Sequence, residues 1–123
     1  MTRPLPLKLF DEGFDVYMAA NRGTKYCQEH LTLTIEDDAY WEHSWAEMGL
    51  YDAVGNIKMI NERTDKKVSY IGVSQGTVQM FYALAKLEES VLGDMMFTFA
   101  ALDPCTIDQN EGAHLYEDGL FHF

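Results

Sequence analysis

Basic residues are few in this chain: 9 Lys and Arg stand against 20 Asp and Glu, a formal charge of −11. A surface of that sign repels phosphate arrays, which are bound by Lys and Arg releasing counterions, so nucleic acid and anionic membrane surfaces are not expected as partners. Cysteine is scarcer still. Cys27 and Cys105 are the only two, too few for a disulfide framework, and free buried thiols are expected. No CxxC, HExxH or clustered His and carboxylate set occurs, so neither a metal site nor a cofactor is expected. Nowhere does an apolar run approach the ~18 residues of a membrane span. The opening MTRPLPLKLF lacks the long apolar segment of a secretory signal.

What the chain does contain is apolar material: 47% of its 123 residues, with 13% aromatic. That is the composition of a folded chain, and the length is that of one domain spanning residues 1–123. The stretch Gly13 to Ala19, GFDVYMA, is rich in β-branched and aromatic types and runs into Asn21-Arg22-Gly23, which reads as a strand and a turn. Tyr26 to Ala39 has mixed polarity and reads as a loop, with room for a short helix. From about Trp41 to Asn61 apolar residues recur at helical spacing, with Trp45, Met48, Tyr51 or Val54, Ile57 and Ile60 on one face. Val68 to Val73, VSYIGV, is an apolar run bounded by turn signals, as in a buried parallel strand. A helix is expected from about Gln75 to Glu89, then a strand over Met95 to Leu102 that stops at Asp103-Pro104. Strand, helix, strand, helix, strand is the order of an α/β fold, a mainly parallel sheet flanked by helices. Thr106 to Phe123 is polar, then aromatic, and gives no firm element.

One motif carries chemistry. Gly72-Val73-Ser74-Gln75-Gly76 is a G-x-S-x-G set between the β-rich run and the helix-forming run, the context that a nucleophile elbow requires. A sharp strand-to-helix turn crowds the backbone, so glycine is expected at both Gly72 and Gly76, and the Ser74 hydroxyl is thrust into the open. The backbone N–H of Gln75 would then serve as one oxyanion donor.

The surrounding residues resemble those of the acid lipase family, the gastric and lysosomal lipases of α/β-hydrolase fold. GFDVYMAANRG stands where the family has G-Y-D-V-W and then N-S-R-G; YWEHSWAEMGLYDAVGNI where it has F-W-x-F-S-x-D-E-M-x-x-Y-D-L-P-A; YIGVSQGT where it has Y-V-G-H-S-Q-G-T. The resemblance runs from about Phe10 to Thr106 and implies a serine ester hydrolase of lipid metabolism, secreted or lysosomal, in a minimal or truncated form. Val73 replaces the family's histidine beside the serine. The family's H-G motif, source of the second oxyanion donor, has no match before Gly13, and a cap or lid domain after Leu102 is not expected.

A serine nucleophile needs a base and a carboxylate to orient it, in the chain order Ser, Asp or Glu, His. Asp103, at the carboxyl end of the last strand, is the first choice for the acid and Asp108 the alternative. For the base, Ala113-His114-Leu115 resembles the H-L-D-F around the family's catalytic histidine, with His122 as alternative. The expected substrate is an ester or lipid, with short to medium acyl chains preferred, and exposed sheet edges would favour self-association. The competing expectation is an inactive hydrolase fragment serving as a binding domain.

Overall fold

Ser44-Trp45-Ala46-Glu47 is a capping box, and it starts the longest helical stretch of the chain. In the computed structural model, which describes residues 3–105, the Ser44 Oγ accepts the Ala46 N–H (3.1 Å) while the Glu47 carboxylate accepts the Ser44 N–H (2.8 Å). The helix therefore begins at Trp45 and not at Trp41. It runs through α2 (Trp45–Glu47), a π-helical segment (Met48–Ala53) and α3 (Val54–Thr64), and stops where Asp65 turns left-handed at φ 54°. Before α2 comes α1 (Leu5–Asp11), a helix the sequence reading missed, with proline in its first turn, where a missing N–H costs nothing.

Two compact units divide the chain, Met1–Glu42 and His43–Phe123. In the first, α1 is followed by a turn with Gly13 at φ 87°, and a 3-10 turn over Asp38–Trp41 buries Tyr40, whose ring meets His30 and Trp41 edge to face. The expected strand from Gly13 to Ala19 is not formed: those residues take no ladder partner and are mostly exposed. Strand propensity marks a segment that fits a pleated, half-buried surface, and it makes no strand without a neighbour to pair with.

The second unit carries the sheet. β1 (Val68–Val73) leads into α4 (Gln75–Lys86), then α5 (Glu89–Gly93), then β2 (Met96–Leu102). The strands pair in parallel, in register from Ser69 opposite Thr98 to Val73 opposite Leu102. Among the described residues the sheet has two strands, joined by the helical crossover that parallel pairing demands. α4 stops at Lys86, short of the expected Glu89, because Leu87 and Glu88 are extended and α5 restarts the helix.

Ala53, Ile57, Met80, Ala83 and Leu92 form the core, with Val54, Val68, Tyr70, Leu87 and Phe99 against it. Of the residues expected on the helix face, Ile57 is buried and Val54 packs against the core, but Trp45 and Tyr51 are exposed, while the small Gly49 and Ala53 are buried. The π segment changes the helical period, and small residues let backbones approach. At Gly49 a Cβ would run into the carbonyl oxygen of Gln79 in α4. Burial follows one side of the sheet: in β1, Gly72 is buried, Val68 and Tyr70 half-buried, and Ser69, Ile71 and Val73 exposed.

Candidate functional site

Ser74 links β1 to α4, and its backbone is in a conformation that few non-glycine residues adopt, φ 49° and ψ −115°. Strain of this kind costs ~1–3 kcal/mol and persists only where the surroundings over-determine it. Three contacts do so here. The Ser74 N–H donates to the Leu102 carbonyl (3.1 Å), extending the ladder by one bond, while its own carbonyl accepts the N–H (2.8 Å) and hydroxyl (2.6 Å) of Thr77. Ser74 itself is exposed.

Gly72 and Gly76 do not share one role. A Cβ on Gly72 would stand 2.5 Å from the Gly76 carbonyl oxygen, so only glycine fits at the end of the strand. A Cβ on Gly76 would meet nothing nearer than the Tyr70 hydroxyl at 3.8 Å, an ordinary contact. The expectation that crowding demands glycine at both positions therefore holds only for Gly72.

Gln75 opens α4, where a helix has no preceding carbonyl to offer its first N–H groups. Its side-chain amide donates to the Met48 sulfur (3.3 Å), which anchors it on the π segment. Asp103 follows β2 as Ser74 follows β1, immediately beyond the paired Val73 and Leu102, and it too has positive φ, 52°. Asp103 is exposed. Asp108, His114 and His122 lie outside the described residues.

Several residues that the motif did not single out hold the turn. Tyr70 donates its hydroxyl proton to the Gly76 carbonyl (3.0 Å) and accepts from the Gln79 amide (2.9 Å). Burial pushes the Tyr70 phenol above its ordinary value, with the Gln79 hydrogen bond acting in the opposite sense. Thr77 is fully buried, and its Oγ1 accepts the Cys105 N–H (3.1 Å). Cys105 in turn brings its thiol 3.9 Å from the Ser74 hydroxyl. Both cysteines are free, as expected, but exposed and not buried. The local signal for Thr77 was a threonine three residues after Ser74, a spacing at which side chains bond back to the main chain; its bond to Cys105 had none.

With this geometry, comparison with known proteins is informative. The chain is 42% identical over 82 residues to lipase member M of Mus musculus, covering 66% of this chain and 19% of that one. It is 33% identical over 113 residues to triacylglycerol lipase 1 of Arabidopsis thaliana, covering 92% and 28%. With the lysosomal acid lipase/cholesteryl ester hydrolase of Homo sapiens it shares 38% over 97 residues, covering 78% and 24%. This chain is an acid-lipase relative. It spans about a quarter of the length of the curated relatives it matches. No protein-family model matches this acid-lipase-like chain, and neither does any solved structure. Its helices and two-stranded parallel sheet are compatible with part of an α/β-hydrolase fold.

Proposed function

We propose that this chain is the elbow-bearing part of an α/β-hydrolase and cleaves carboxylic esters through an acyl-enzyme on Ser74. The observation that carries the reading is the Ser74 backbone, held at φ 49° between a parallel strand and a helix, with its side chain exposed. In this mechanism the Ser74 oxygen attacks the ester carbonyl carbon as its proton passes to His114, which Asp103 orients. The Gln75 N–H donates to the oxyanion, an interaction commonly worth ~3 kcal/mol. Collapse of the tetrahedral species expels the alcohol, which takes the proton from His114, and water then releases the acid by the same route. Asp108 and His122 are the alternative triad members. The relatives named above are lipases, which supports a lipid or ester substrate, and a secreted or lysosomal setting is proposed with them.

A fluorophosphonate probe tests this reading. An adduct on Ser74, absent in Ser74→Ala, is the expected result, and a chain that takes no adduct overturns it. Soluble p-nitrophenyl butyrate should be cleaved faster than emulsified long-chain triglyceride, and the reverse order overturns the short-chain preference.

A second reading, an inactive hydrolase-like module that binds a partner, is favoured by one observation. Parallel sheets are ordinarily covered on both faces, yet Ile71 and Val73 of β1 are 41% and 59% exposed. Under either reading the open sheet edges favour self-association. The probe separates the two, because the binding module takes no adduct.

A further inference from the structure

A buried hydroxyl usually finds one partner, and that of Thr77 has two. A threonine in the first turn of a helix readily bonds back to the carbonyl three residues earlier, and the bond to Ser74 is of that local kind. The bond from the Cys105 N–H is not local: it reaches 28 residues along the chain, to the segment that follows β2. With its proton given to the Ser74 carbonyl, the Thr77 oxygen presents a lone pair to Cys105, so the sense of both bonds is set. The two partners belong to the two turns with strained backbones, Ser74 itself and the segment two residues beyond Asp103. Thr77 is completely shielded from water, so its hydroxyl has no solvent to bond and depends on protein partners.

We infer that Thr77 is a positioning residue of the candidate site: its buried hydroxyl clamps the Ser74 turn to the Asp103–Cys105 turn and so sets where Asp103 stands relative to Ser74. The activity arm of the inference rests on the ester-hydrolase reading above; the geometry does not. The same clamp accounts for the nearness of the Cys105 thiol to Ser74, which makes that thiol a reporter of the turn's position.

The test uses the full chain with Thr77→Val, which removes the hydroxyl at nearly constant volume, and Thr77→Ser, which retains it. Hydrogen exchange of the Cys105 amide, iodoacetamide alkylation of Cys105, and the rate of fluorophosphonate labelling at Ser74 are compared across the three proteins. Exposed Cys27, in the other compact unit, is the internal reference for alkylation. The Cys105 amide should be protected in the wild type and in Thr77→Ser, and should exchange ~10-fold or more faster in Thr77→Val. Alkylation of Cys105, but not of Cys27, should accelerate in Thr77→Val. Labelling of Ser74 should fall ~10–100-fold in Thr77→Val and return close to the wild-type rate in Thr77→Ser. An unprotected Cys105 amide in the wild type, a Thr77→Val protein that behaves as wild type, or a Thr77→Ser protein that loses as much as Thr77→Val would each overturn the inference. If Thr77→Val does not fold, wild-type protection together with Thr77→Ser decides it. If the wild type takes no adduct, the hydrolase reading falls, while Cys105 exchange still decides the clamp.

Discussion

The Cα of Gly72 faces the carbonyl oxygen of Gly76 so closely that a methyl group between them would stand 2.5 Å from that oxygen. Gly72→Ala is therefore expected to cost ~1–3 kcal/mol by overpacking and to slow labelling of Ser74 by ~10-fold or more through displacement of the turn. Gly76→Ala has room, and alanine in a helix is favoured over glycine by ~0.5–1 kcal/mol. Urea unfolding should place the two variants on opposite sides of the wild type, and equal midpoints would refute the asymmetry.

Gly49 poses the same question away from the elbow. Its Cβ would collide with the Gln79 carbonyl, a backbone atom of a packed helix that cannot rotate away. Gly49→Ala should destabilise by ~1–3 kcal/mol. Because the π segment also anchors Gln75 through Met48, Ser74 labelling should slow with it. Unchanged stability would show that α4 and the π segment are not held in this contact.

Tyr70 makes stability depend on alkaline pH. Its phenol ionises above its ordinary value in the folded chain because burial disfavours the charged form, so the folded state holds the proton when the unfolded chain has begun to release it. That contribution is fully present below about pH 10, the unfolded value, and is lost as pH rises through the folded one. Tyr70→Phe should unfold more easily at neutral pH, since the Gly76 carbonyl and the Gln79 amide each lose a partner. It should also lose less stability than the wild type above pH 10. Parallel pH dependences would remove Tyr70 as the cause.

Asp37 acts at the acid end. Its carboxylate accepts the Thr34 N–H at 2.7 Å and hydroxyl at 2.9 Å, and the backbone bond first, then the side-chain bond, holds its pKa below 3.8. The stability linked to it is present above pH 3.8 and lost as pH falls through the folded value. An NMR titration of Asp37 should show this low midpoint. Thr34→Val should bring it part of the way back, because the backbone bond survives, and no movement at all would show the hydroxyl to be idle.

Much of the second unit was legible along the chain. VSYIGV spans β1 residue for residue, and the G-x-S-x-G falls at the turn into α4 because an apolar run, a glycine and a helix-forming run are local signals. The capping box at Ser44 was equally local, and reading it would have corrected the start of the helix from Trp41 to Trp45. What misled was the assumption that bulk marks burial. Trp45 and Tyr51 lie exposed while Gly49 and Ala53 are buried, and at Gly49 the reason, a helix crossing so close that a Cβ would collide with it, sits thirty residues away in Gln79.

The amino-acid order by itself determined the strand, the turn and the helix around Ser74, together with the resemblance to acid lipases, because these depend on neighbours within a few residues. Only the tertiary structure decided that Gly13 to Ala19 is no strand, that Gly72 is sterically required and Gly76 is not, and that Thr77 bonds Cys105. Each of those outcomes depends on an atom brought close, or left distant, by the path of the chain between the two positions. No window of sequence contains that path, since pairing and crowding are properties of two segments at once.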